Sequence, residues 1–223
     1  MATLIDSGGQ YVAASPYALT NAAAVNDVLV VIITSNSNTH ATATVSGATA
    51  TLAERQFVTN GGSQCVTVLT GLVTGAGTPS ITFSGGADLS IQVWLVRGLS
   101  SATENQLGSV TGAGNPLTTS VTTTVTASLF TCWYSAVGDN FTSWNGSITA
   151  SNEFTGCSSA YGYQLDIAAA SRTDGANVTS NVNNTITQIY LPNDTGANPA
   201  NLSVPNLGGI YPQNAGTGGG QRA

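Results

Sequence analysis

His40 is the one histidine of the chain, and a hydrolytic triad would require it to meet a serine and a carboxylate. It closes the run Ser-Asn-Ser-Asn-Thr-His, which reads as an exposed turn, and no Gly-x-Ser-x-Gly elbow occurs anywhere. The ten acids (Asp6, Asp27, Glu54, Asp88, Glu104, Asp139, Glu153, Asp166, Asp174, Asp194) never cluster along the sequence. A glycosidase needs only two carboxylates brought together by folding, so spacing alone leaves that chemistry open. Asp166, between Leu165 and Ile167, is expected to point to the solvent face of a strand. There is no lysine, so no P-loop exists, and the glycine clusters at 75–78 and 216–220 read as turn and tail. Asp139-Asn140 and Asn193-Asp194 read as turn chemistry rather than pieces of a calcium site. Cys65, Cys132 and Cys157 lack CxxC spacing and histidine partners, which predicts buried reduced thiols rather than zinc ligands, with one disulfide still conceivable in an oxidising setting. The chain therefore reads as non-enzymatic, with no catalytic, cofactor or metal set.

A second constellation is aromatic. Trp133, Tyr134, Phe141, Trp144, Tyr161 and Tyr163 fall close together. Sugars are bound by exposed ring faces beside amide and carboxylate groups, and Trp144 has such neighbours in the polar segment Gly138–Gly146. Trp144, Asn140, Asn145 and Phe141 are thus candidate contacts to a glycan or another surface. The competing reading places Trp133 and one tyrosine in the core and lets Trp144 cap the open end of a sandwich.

The elements that must position these residues are strands. The pattern has period two, interrupted by turns. Residues 27–35 (DVLVVIITS) are apolar on both faces, which predicts a central strand covered on both sides. Residues 42–45, 51–57, 65–73 and 80–84 follow as strands. Residues 89–96 place Leu89, Ile91, Val93 and Leu95 on one face and Trp94 on the other. A second set begins near Pro116, where Leu117, Val121 and Val125 share a face, and continues through 128–137, 159–168 and 185–191. Tyr161, Tyr163, Leu165 and Ile167 align on one face. Trp94 and Trp133 are expected to be buried. The only candidate helical turns, at 22–25 and 168–171, are too short to stand alone. About ten to twelve strands at near-regular spacing predict an all-β fold, an antiparallel β-sandwich or jelly roll. No sharp internal repeat is legible, so residues 9–192 read as one domain between an N-terminal arm (1–8) and an extended Gly/Pro/Asn-rich C-terminal arm (193–223).

Composition narrows the partners. Apolar residues are 41% of the 223 but charged ones only 6%, against roughly a quarter in ordinary domains. The surface must be dressed with Thr, Ser, Asn, Gln and Gly. A net charge of −6 and four arginines, Arg55, Arg97, Arg172 and Arg222, supply no basic cluster, which excludes electrostatic binding to nucleic acid or anionic membrane. No apolar run of about 18 residues predicts a membrane-spanning helix. No secretory signal is visible, so synthesis in the cytoplasm is expected. The arm's apolar residues are separated by Pro, Asn and Gly and cannot form a core of their own, so an ordered arm has to gain contacts elsewhere, on another subunit or a larger assembly. Leu207, Ile210, Tyr211 and Arg222 are the candidate assembly contacts.

The apolar run at 27–33, Thr-Pro-Ser-Ile-Thr-Phe-Ser-Gly-Gly at Thr78–Gly86 and Trp-Leu-Val-Arg-Gly at the end of 91–98 together resemble β-sandwich modules of tailed-bacteriophage structural proteins. The resemblance covers residues 27 to about 192, and bacterial surface proteins share the pattern. It implies a virion protein without catalytic residues: a capsid-decoration or head-fibre subunit, homo-oligomeric with a trimer favoured, contacting the major capsid protein through its terminal arms. The alternative it allows is a tail-associated module that reads cell-surface glycan through the Trp144 segment.

Overall fold

The computed structural model describes residues 1–11, 15–60, 64–135, 140–154, 158–179 and 183–195. Among these residues there are strands and no helix. The first half of the chain supplies β1 (Thr3–Tyr11), β2 (Tyr17–Ala18), β3 (Val28–Ser35), β4 (Thr42–Ser46), β5 (Thr49–Ala50), β6 (Ala53–Thr59), β7 (Cys65–Gly75), β8 (Ser80–Ser84) and β9 (Ser90–Arg97). The second supplies β10 (Gln106–Gly112), β11 (Leu117–Thr122), β12 (Ala127–Ser135), β13 (Phe141–Asn145), β14 (Thr149–Phe154), β15 (Ser159–Ile167), β16 (Ser171–Val178) and β17 (Asn184–Pro192).

The two halves have the same topology. In the first, a large antiparallel sheet runs β1-β9-β3-β7, with β6 and the short β5 both paired to β7, and faces a small one, β2-β8-β4. In the second, the large sheet runs β10-β17-β12-β15-β14 and the small one β11-β16-β13. This order is that of a jelly roll, with one change repeated in both halves. The strand that would complete the small sheet beside β4 or β13 is hydrogen-bonded to the large sheet instead, as β6 on β7 and β14 on β15. Both copies even bulge at the same place, at Arg55 in β6 and Ser151 in β14. The all-β sandwich expected from the sequence is present, built as a tandem pair of jelly rolls.

The large sheets pack against each other, giving four layers. This explains why every residue of β3 and of β12 is buried: each lies mid-sheet with a layer on either side. Leu29, Val31 and Ile33 face the small sheet of their own half, together with Leu89, Ile91, Val93 and Leu95. Val28, Val30 and Ile32 face the other half and meet Phe130, Cys132, Tyr134, Tyr161 and Ile189 there. Trp94 lies in that central layer, fully buried, its ring 5.4 Å from Phe130 and its Nε1 donating to Ser151 Oγ at 3.0 Å. Trp133 is likewise fully buried, as expected, inside the second jelly roll.

The packing of the halves is pseudo-twofold. Pairing registers make Gln56 the counterpart of Asn152, and Gln92 that of Thr187. Asn152 Nδ2 donates to Gln92 Oε1 at 2.5 Å, and Thr187 Oγ1 donates to Gln56 Oε1. One bond is thus the symmetry mate of the other, which is the signature of an isologous interface. The axis runs roughly along the strands. At one end, here the apex, Gln64 Nε2 of the first half donates to the Asn183 carbonyl of the second. At the other end, the base, Ser100 N donates to the Pro192 carbonyl and Asp194 N to that of Gly98.

Three expectations are corrected. Residues 1–8 are not an arm, because Thr3–Tyr11 pairs with β9 along its length. Gly138–Gly146 is not wholly a loop, because Phe141–Asn145 is strand β13. Ile167 leaves the face of Tyr161, because Asp166 adopts a left-handed φ of 56° where the β12–β15 register shifts, and Ile167 turns into the small-sheet core. Asp166 itself is exposed, as expected. The C-terminal residues 196–223, with Leu207, Ile210, Tyr211 and Arg222, lie outside the described residues, as does Cys157.

Candidate functional site

β13 enters from the apex and carries Phe141 and Trp144 on its inner face. Asn140 is exposed at the apical end, where its carbonyl accepts from Thr179 N at 3.0 Å. Asn145 lies on the outer face of the strand, opposite Trp144, so the four candidate glycan contacts do not converge on one surface. Phe141 stacks obliquely on Trp133 at 5.9 Å and on Trp144 at 4.9 Å. Trp144 is half-buried, with its Nε1 buried and without a hydrogen-bond partner.

The position of Trp144 has a packing cause. Its counterpart in the first jelly roll is Val45, and the residue facing it, Gly162, is the counterpart of Leu69. A Cβ on Gly162 would stand 2.8 Å from Trp144 Nε1 and 2.5 Å from Ile148 Cγ2. A Val–Leu pair has been exchanged for a Trp–Gly pair that fills the same layer, as volume-conserving repacking allows. The cavity beside Trp133, Asn140, Phe141 and Glu153 holds only about 10 Å³, room for a single water. A larger one of about 360 Å³ opens at the base between Thr126, Asp166 and Asn193, but Asp166 Oδ1 is already held there by Ala2 N and Asn193 Nδ2.

Titratable side chains are drawn into structural pairs. His40 is exposed, stacks on Phe57 at 3.7 Å, and shares a 2.8 Å hydrogen bond between Nδ1 and Glu54 Oε2. Neither neighbour is the serine that a hydrolytic triad requires. Arg97 clasps the buried Asp27 through two bonds of 2.8 and 2.9 Å, and Arg55 lies 3.7 Å from Glu104. Among the described residues, no three His, Cys, Asp or Glu side chains group as a metal site.

The most elaborate polar arrangement was not singled out from the sequence. Arg172 and Asp174, two apart on β16, point into the second jelly roll. Arg172 donates to both Asp174 oxygens at 2.8 and 3.1 Å and to Gln164 Oε1 at 2.8 Å. The Tyr190 hydroxyl is 3.2 Å from Asp174 Oδ2 and 3.1 Å from Gln188 Oε1. One phenolic proton cannot serve two acceptors. With the Gln188 amide turned over, its nitrogen donates to the Tyr190 oxygen, which donates to Asp174, and both contacts are satisfied. In the first jelly roll the counterparts of Gln164, Gln188 and Tyr190 are Gly71, Val93 and Leu95. The network therefore belongs to one half alone. The available signal was Arg-x-Asp at strand spacing in a chain with four arginines.

Two of these interior groups make the fold sensitive to alkali. Burial, reinforced by the Asp174 carboxylate, holds the Tyr190 phenol well above its ordinary value of 10. Burial pushes the Cys65 thiol up from 9 to about 11. Each keeps its proton in the fold at a pH where the unfolded chain has lost it. Their contribution is complete below about pH 9 and is lost as pH rises through the folded values. Urea midpoints measured from pH 7 to 11 are expected to be level up to about pH 9 and then to fall; a flat profile to pH 11 would contradict the burial of both groups.

Comparison with known proteins returns no match to any protein family, to any curated protein or to any solved structure. The double jelly roll thus defines the class of this chain by architecture alone.

Proposed function

We propose that this chain is a non-enzymatic structural protein of a bacteriophage virion, a capsid-decoration or head-fibre subunit that binds the major capsid protein and copies of itself. The observation that carries the reading is the polarity of the tandem. Both apices lie at one end, joined by Gln64 and Asn183, while the last described residues leave from the base beside Gly98. Such a body can be held by its base and the C-terminal segment while presenting its loops outward. Jelly rolls build capsid and lectin domains alike, and fold analogy does not choose between them. The low content of charged residues and the pairing of Arg55, Arg97 and Arg172 within the fold favour packing over catalysis. The glycan-reading alternative draws less support, because the Trp144 ring is engaged with Phe141 and Gly162.

The test is the location of the chain in purified particles by antibody labelling, paired with deletion of Pro199–Ala223. The deletion is expected to leave the thermal midpoint unchanged, since it follows β17, and to weaken particle binding at least tenfold. Absence of label from the particles would overturn the reading, and glycan-array binding by the intact chain would favour the alternative.

A further inference from the structure

We infer that Asn145-Gly146 is a built-in site of spontaneous deamidation, where water replaces the Asn145 amide and the main chain acquires an extra methylene. The inference stands apart from the role proposed for the chain.

Asn-Gly occurs twice in the sequence, at 60–61 and 145–146. Asn145 is the last residue of β13, half-buried on its outer face, and Gly146 and Ser147 after it are exposed. The fold requires glycine at 146. Its φ is 101°, and a Cβ there would stand 2.3 Å from Asp174 Oδ1. A side chain at that position is also what hinders the main-chain nitrogen from attacking the preceding asparagine. The packing that fixes Gly146 therefore leaves Asn145 open to attack.

The first jelly roll supplies an internal comparison. The counterpart of Gly146 is Gly47, with φ of 75° and a Cβ position 2.2 Å from the Thr78 carbonyl oxygen. The turn is thus kept in both halves, but Ser46 precedes it in the first, its hydroxyl donating to the Ser80 carbonyl at 3.4 Å. Serine cannot cyclise in this way, so the turn itself does not need asparagine. The Asn145 amide makes no hydrogen bond among the described residues. At the other pair, Asn60 Nδ2 donates to the Asn184 carbonyl at 3.5 Å, and Gly61 lies outside the described residues.

The Gly146 nitrogen, having given its proton to solvent, attacks Asn145 Cγ. The new N–C bond closes an imide ring while Cγ–Nδ2 breaks, and ammonia leaves with a proton from water. Water then opens the ring at either carbonyl. Opening at Cγ gives aspartate; opening at the main-chain carbonyl carries the chain on through Cβ and Cγ, as isoaspartate. The added methylene falls where Gly146 packs against Asp174, so it loosens β13 at its last pairing, Asn145 with Gly175. A new carboxylate on the outer face is by itself a surface change of small effect.

The full chain is aged in mildly alkaline buffer, folded and in urea, then mapped by mass spectrometry with enzymatic labelling of isoaspartate. In the folded chain, Asn145 is expected to convert at least tenfold faster than Asn60, with isoaspartate among the products. Asn145→Ser, which copies the first jelly roll, is expected to remove the signal. The aged chain is expected to melt lower than the fresh one, and freshly made Asn145→Asp, which has the charge without the methylene, to melt with the fresh one. Conversion at Asn145 confined to the unfolded chain, or no faster than at Asn60, would overturn the proposal. An Asn145→Asp midpoint as low as that of the aged chain would overturn its main-chain part.

Discussion

Trp94→Ala is expected to lower the unfolding free energy by about 3–5 kcal/mol, the range for truncating a large aromatic in a close-packed interior. The indole is fully buried between the two jelly rolls, against Phe130 and Tyr161, at 5.4 and 6.4 Å. Its loss also leaves Ser151 Oγ without the donor that now reaches it. Because the central layer is the interface between the halves, the denaturation curve is expected to broaden or split as their coupling weakens. The check is urea unfolding followed by fluorescence and circular dichroism together. A loss under about 0.5 kcal/mol, as at surface positions, would mean that the large sheets do not pack as described.

Asp174→Ala is expected to cost about 3–5 kcal/mol by a different route. It leaves the Arg172 guanidinium largely enclosed with no carboxylate, and breaking one side of a buried pair is far more costly than removing both sides. The Tyr190 hydroxyl loses its acceptor in the same change. Arg172→Met/Asp174→Leu is therefore expected to recover most of the loss. Chemical denaturation of the three proteins decides it: a double variant no more stable than Asp174→Ala would show that the network contributes something apolar packing cannot replace.

The strands legible in the sequence are those near the middle of the large sheets. β3, β9, β12 and β17 carry apolar side chains toward both layers, and the predicted face of Trp94, opposite Leu89, Ile91, Val93 and Leu95, holds. β10, β14 and β16 were not predicted. Two are edge strands, and the third spends its inward positions on Arg172 and Asp174, so none shows apolar alternation. The duplication was hidden for a related reason. Leu29 matches Leu129, but Val68 matches Tyr161 and Trp94 matches Ile189, so the spacing between counterparts drifts with each loop. Identity is lost through exchanges that conserve volume or function rather than residue type, as Val45 and Leu69 against Trp144 and Gly162. Trp144 reads either as a glycan contact, because its sequence neighbours are polar, or as a cap on the end of the sandwich. Its partner in space, a glycine eighteen positions on, carries no signal of its own.

The meeting of strand ends at the base gives the chain a cyclic character. Ala2 N reaches Asp166, Asp194 N reaches the Gly98 carbonyl, and the Met1 carbonyl lies beside Gly98. The entry to the first jelly roll, the exit from the second and the crossover between them at 98–105 thus occupy one neighbourhood. Topologically the fold is a closed loop of two equal arcs with two equivalent junctions. One junction is bridged by peptide and the other by hydrogen bonds. Reconnecting residue 195 to residue 1 and opening the chain within 100–104 produces a circular permutant in which every strand keeps its neighbours.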